Sequence, residues 1–341
     1  MMTYKEIIEN NCKKSISSDW WPKYAFHYTD VSNAIGILKE GYLYSRYDAK
    51  SKALMMNDNA SRQVIDMTFS EAVADVRFYF RPLTPTQYYN EGFKHADIRY
   101  YKDENANVPV PVFFIFDLET ILSKELTCFS ETSLAGVGSE LLSGPEAFSK
   151  LNFQEIYKTG PMQNPNMEKR YRQAEIVHRG PYAIGDGLKG IICRNESERL
   201  TLLNLLRQES NKLFSIYHSK VFVQADCFEN NALFINDCAY YGDKVVISFS
   251  GTAAKRRYLN SHKQNDAPLL VNARAEFDFM KSSQLVNRLA CNFTIDYEHT
   301  GSMSFTKLEK VKGATSLHLR VYFENKLVCY ECWQLAEMAL L

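Results

Sequence analysis

The sequence predicts an α+β protein in two parts, a mixed helix-and-strand domain over residues 1–213 and a β-rich, sandwich-like domain over residues 214–341. Three observations carry this. Up to about Leu213, segments with helical spacing of apolar residues alternate with short strand-like runs. Beyond about Phe214, roughly eight alternating segments follow one another, such as KVVISFSG, LLVNARAEFDF and LHLRVYFE, and turn signals such as Glu229-Asn230-Asn231 and Tyr241-Gly242-Asp243 separate several of them. A length of 341 residues with 45% hydrophobic and 13% aromatic content is enough for two cores and too apolar for disorder.

The elements follow in order. In AFHYTDVSNAIGILKEG, Ala25 to Gly41, a strand leads into a helix over residues 31 to 40, capped by Asp30 or Ser32 and ended by Gly41. Ser61 to Val76 reads as a longer helix with a stripe at Val64, Ile65, Phe69 and Val73, and Arg77 to Phe80 as a strand stopped by Arg81-Pro82. Val108 to Leu118 is a buried strand with its prolines near the entry. A short helix over Ser149 to Ile156, a loop over Gly160 to Met167 and a strand over Gln173 to His178 come next. A strand at Leu188 to Cys193 then feeds a helix from Ser197 to Leu213.

Forty basic and forty acidic residues cancel, so any nucleic-acid contact must come from a local patch. The opening MMTYKEIIENNCKK is charged and does not read as a secretory signal, and the apolar run Val112 to Phe116 is too short to span a bilayer. A cytoplasmic protein without a membrane partner is expected, its eight cysteines reduced. Cys329-Tyr-Glu-Cys332 stands without a second ligand pair, His318 being the only nearby candidate, so no metal is expected. Lys255-Arg256-Arg257-Tyr258 reads as a solvated turn or a nucleic-acid contact.

Chemistry points to residues far apart in sequence. His27 and Thr29 are two apart and so share one side of a strand. Glu175 is the one carboxylate in the apolar QAEIV strand, where an acid either faces water or is held in a cleft. FHYT with its helix NAIGILKEG, then SRQV, FYFRPLTP, the block CFSETSLAG with KLNFQEIY, and RQAEIV follow the order and approximate spacing of the DarT family, from about Tyr24 to about Leu213. The chain thus resembles ADP-ribosyltransferase toxins that act on nucleic-acid bases.

The resemblance implies an ADP-ribosyltransferase-like split sheet and NAD+ as the substrate consumed. It assigns His27 and Thr29 to the nicotinamide-side ribose, with Asn33 assisting and Tyr79 among the aromatics that could stack on nicotinamide. Glu175 would stabilise the positive charge that develops on the ribose as the glycosidic bond breaks, and Arg62 would hold the pyrophosphate or orient the acceptor base. By the same analogy, the loop before Glu175 would meet the acceptor with Lys169, Arg170 and Arg172. Ser130-Glu131-Thr132-Ser133 stands where the family often has T-D-x-H, which leaves the base and the polymer open; the long β-rich tail fits the RNA-directed CmdT-type branch, which places single-stranded RNA slightly ahead of single-stranded DNA as the acceptor. A toxin–antitoxin or anti-phage defence role is implied, with a neutralising antitoxin or a chaperone-linked regulator bound to the β-rich part. The rivals are a protein-directed ADP-ribosyltransferase and a catalytically dead nucleotide-binding module.

Overall fold

The structure is a computed structural model describing residues 2–14, 20–58, 74–135, 139–308 and 311–335. It divides into two compact units. One comprises residues 1–89, 112–192 and 227–229; the other comprises 90–111, 193–226 and 230–341. The insert 90–111 and the helix Glu196–Glu209 go with the β-rich part.

The first unit is built on β1 (Tyr24–Asp30), β2 (Tyr42–Leu43), β3 (Asp75–Tyr79), β4 (Pro111–Asp117), β5 (Thr127–Phe129), β6 (Glu175–Arg179), β7 (Tyr182–Ala183) and β8 (Leu188–Cys193). Its main sheet runs in the order β5-β6-β3-β1-β4-β8, with β5/β6, β6/β3 and β3/β1 antiparallel. The run Val112 to Phe116 on β4 is wholly buried, as a strand covered on both faces must be. Phe26 and Phe78 join it in the core, with Phe78 and Phe116 edge-to-face at 5.4 Å.

The helix Val31–Glu40 starts at Asp30, whose carboxylate accepts the Ser32 N–H at 2.9 Å, and stops at Gly41 with φ +77°. Elsewhere the boundaries move. β3 starts at Asp75, taking Asp75 and Val76 from the end of the expected helix. The expected helix over 149–156 is two, Gly144–Ser149 and Phe153–Ile156. Ser210 breaks the last one into Glu196–Glu209 and Asn211–Tyr217, capping the second half through its hydroxyl on the Lys212 N–H.

In the second unit, β9 (Val221–Val223) precedes two antiparallel sheets. One orders β10 (Ile235–Tyr240), β11 (Val245–Phe249) and β14 (Ser302–Phe305). The other orders β13 (Gln284–Asp296), β12 (Leu270–Lys281), β15 (Ser316–Phe323) and β16 (Lys326–Gln334). Phe305 packs edge-to-face on Phe277 and Phe293, which gives the sandwich-like character. The KRRY stretch lies on a helix, Thr252–His262, with Lys255 buried and its ammonium on the Tyr297 carbonyl at 2.5 Å. That burial splits the expected basic cluster.

Candidate active site

Glu175 opens β6 opposite Tyr79 of β3 and is buried, with 1% of its surface exposed. A buried carboxylate needs partners, and two elements supply them. From β3, Arg77 donates to Oε2 at 3.2 Å; from the segment after β5, the Leu134 N–H donates to Oε1 at 3.2 Å. The main chain is tied too: the Ser130 N–H donates to the Glu175 carbonyl at 2.8 Å. Burial pushes the Glu175 carboxyl up from its ordinary value, and the Arg77 charge and the Leu134 N–H pull it back down.

Arg77 and Tyr79 share one side of β3 because they are two residues apart, while Phe78 between them turns into the core. The Tyr79 phenol lies among Glu175, Gln173 and Thr86, and burial with the carboxylate's negative charge raises its pKa. Gln173 in turn accepts the Thr86 N–H at 3.1 Å. On β1, His27 is half-buried with Nδ1 at 2.9 Å from the Arg77 carbonyl, between the rings of Phe78 and Phe114. Burial depresses its pKa, so the imidazole is neutral at pH 7. Thr29 is buried two positions along.

Asn33 is engaged with the main chain at 56–57. Its amide donates to the Asn57 carbonyl at 2.7 Å, and its Oδ1 accepts the N–H groups of Met56 and Asn57 at 2.9 and 3.0 Å. It therefore clamps the backbone at 56–57, where Arg46 grips Asp58 through a two-point contact. Arg62 lies outside the described residues.

The expected acceptor loop is in part a helix, Pro165–Arg172, with Pro165 in its first turn. Only Lys169 of the three basic residues is fully exposed. Arg172 is buried and turned inward, donating to the Gly160 carbonyl at 3.0 Å and pairing with Glu168 at 3.3 Å. Glu168 also accepts the Gln163 and Asn164 N–H groups at 2.8 and 2.9 Å and meets Lys158 at 3.4 Å. These contacts hold its carboxyl below the ordinary value. Arg81 fastens the other end: buried beneath Trp21, it donates to the carbonyls of Pro82, Ile156 and Lys158 at 2.9, 3.1 and 2.5 Å. Desolvation pushes the guanidinium down to about 9.

The sheet thus brings His27, Thr29, Tyr79 and Glu175 onto three adjacent strands. Sequence reasoning missed Arg77, Glu168, Gln173 and Arg81. For Glu168 a signal was present, Asn-Pro-x-x-Glu, in which the carboxylate reaches back to the N–H before the proline. A charged groove lined by Lys5, Glu9, Lys13, Lys23, Asp117, Glu119 and Lys189 involves none of these site residues.

The sequence model of the DarT family, described as ssDNA thymidine ADP-ribosyltransferase, matches residues 26–223. The chain belongs to the DarT family. It is thus a member of a family of ADP-ribosyltransferases, with His27 and Glu175 both inside the matched region.

Among solved structures, a DarT from Thermus sp. 2.9 in complex with NAD+ is 16% identical, with a TM-score of 0.47 over 61% of this chain and 98% of that one. The same DarT with ADP-ribosylated ssDNA gives a TM-score of 0.49 at 16% identity, over 61% and 96%. Thermosipho africanus DarTG in complex with ADP-ribose gives 0.45 at 10% identity, over 64% and 53%. No curated protein matches. Among the described residues there is no group of three or more His, Cys, Asp or Glu placed to hold a metal ion, and no helix long and apolar enough to cross a membrane.

Proposed function

We propose that this DarT-family chain transfers ADP-ribose from NAD+ to a base of single-stranded nucleic acid, and that Glu175 is its central catalytic residue. The observation that carries the reading is a buried carboxylate held on both oxygens, by Arg77 and by the Leu134 N–H, with the same Arg77 meeting His27 through its main-chain carbonyl. In the reaction the bond between ribose C1′ and the nicotinamide nitrogen breaks, and its electron pair leaves with nicotinamide. The acceptor atom of the base then bonds to C1′ and gives up its proton. Positive charge grows on the ribose in between. A fixed carboxylate is the group that stabilises it, because its orientation is set before the charge appears.

His27 and Thr29 bind the nicotinamide-side ribose, the neutral imidazole having both a donor and an acceptor nitrogen. Tyr79 closes the nicotinamide side. Arg62 supplies the cation for pyrophosphate or base, and Asn33, which clamps the chain at 56–57, assists the ribose contact. Lys169 and Arg170 meet the acceptor strand, while Arg172 shapes their helix from within.

The family description makes thymidine in single-stranded DNA the first acceptor to test. Single-stranded RNA is the second reading: Ser130-Glu131-Thr132-Ser133 departs from the family's T-D-x-H and leaves the polymer open, and the long β-rich tail fits an RNA-directed branch. The β-rich part binds a neutralising antitoxin or a chaperone-linked regulator in the cytoplasm, as a defence or toxin–antitoxin role requires. β13 suits such a partner: it is an edge strand of the sheet with Leu285, Val286 and Leu289 exposed. Labelled NAD+ offered with single-stranded DNA, RNA and protein separately tests the acceptor. Label should enter a nucleic-acid pool; label confined to protein would overturn the reading.

A further inference from the structure

We propose that Arg77 is a positioning residue of this site, its guanidinium aiming the Glu175 carboxylate while its carbonyl fixes the His27 ring. The inference rests on the reading of Glu175 given above. One strand residue reaches in two directions: across β3/β6 to Oε2 of Glu175 at 3.2 Å, and across β1/β3 to Nδ1 of His27 at 2.9 Å. The sheet makes this possible. β3 lies between β1 and β6, so a residue on it can touch both neighbours at once.

The pairing is unequal, and the inequality gives it a purpose. The Glu175 side chain is 2% exposed and the Arg77 side chain 26%, so the carboxylate is committed to the interior while the guanidinium retains a face toward water. A buried acid left alone takes up a proton and loses the charge the reaction needs. The titratable groups facing Glu175 from β3 are Arg77 and the Tyr79 phenol, and the segment after β5 contributes the Leu134 N–H and the Ser130 hydroxyl. Of these, Arg77 carries the positive charge. Its removal should leave Glu175 protonated at pH values where the intact enzyme works.

The test compares Arg77→Met and Arg77→Lys in the full chain, with nicotinamide release from NAD+ followed against pH and kcat and KM separated. In Arg77→Met the acid limb of kcat should move up by about one to three pH units, with KM for NAD+ near that of the intact chain. Arg77→Lys should restore most of the profile. In the Glu175→Gln background, adding Arg77→Met should cost nothing more, since the group it acts through is already neutral. An unmoved acid limb, or a raised KM with kcat intact, would overturn the inference. Should Arg77→Met fail to fold, Arg77→Gln takes its place. Failure of the underlying reading looks different: Glu175→Gln would then release nicotinamide as fast as the intact chain.

Discussion

At the scale of single residues, the site is a set of groups whose charge is decided by burial. Glu175 is pushed toward its neutral form by desolvation and returned toward the ionised one by Arg77 and the Leu134 N–H. His27 is held neutral because its ring sits among aromatic side chains on the sheet. The sign of the His27 effect on stability follows. Its folded pKa lies below the unfolded value, so as pH falls through about 6.5 the unfolded chain takes a proton that the folded one refuses, and stability declines. We expect the melting temperature of His27→Gln to fall less than that of the intact chain over this interval, and NAD+ affinity measured by calorimetry at neutral pH to be weaker. An unchanged affinity would remove His27 from the site.

At the scale of elements, the stretch proposed to meet the acceptor is set by how the chain between Tyr157 and Glu175 is folded back on itself. Glu168 gathers two N–H groups, Lys158 and Arg172, so the turn over 160–164 and the helix after it behave as one piece. Its carboxyl is held below the ordinary value, so this contribution is present above about pH 4.3 and is lost as pH falls through the folded pKa. Glu168→Gln should therefore melt below the intact chain at neutral pH, with the gap closing in acid. A gap that persists at low pH would mean the charge is not what matters.

Part of this was legible beforehand and part was not. The helix Val31–Glu40 carries its start and stop in Asp30 and Gly41, and the burial of Val112 to Phe116 is written in its composition. Glu175 stood out because an acid in an apolar strand needs a reason. Arg77 did not: one arginine before FYF has no local signature, and its partners are 98 and 50 residues away. Arg172 misled for the opposite reason. Three basic residues close together suggest a solvated patch, and only the fold turns one of them inward onto Glu168.

At the scale of the whole molecule, the chain's two compact units are interleaved in sequence. Residues 90–111 belong to the second unit, where Phe93 meets Phe323 edge-to-face at 5.4 Å and the Lys94 ammonium donates to Asn231 Oδ1 at 2.5 Å. A fragment ending at 213 keeps that insert and discards its partners. We expect it to lose cooperative melting in circular dichroism; a fragment that melts sharply and consumes NAD+ would contradict the division. Point changes such as Leu289→Ser on exposed β13 are thus the cleaner way to test what the β-rich part binds.

The proposed reaction turns on a buried, ionised Glu175 that stabilises the ribose charge as ADP-ribose passes to a nucleic-acid base. Mass spectrometry of a thymidine-containing single-stranded oligonucleotide incubated with NAD+ tests it most directly, with the intact chain and Glu175→Gln side by side. The intact chain should add one ADP-ribose per modified base, and the amide variant, which keeps the shape without the charge, should be slower by on the order of 10² to 10³. Equal modification by the two proteins would contradict it.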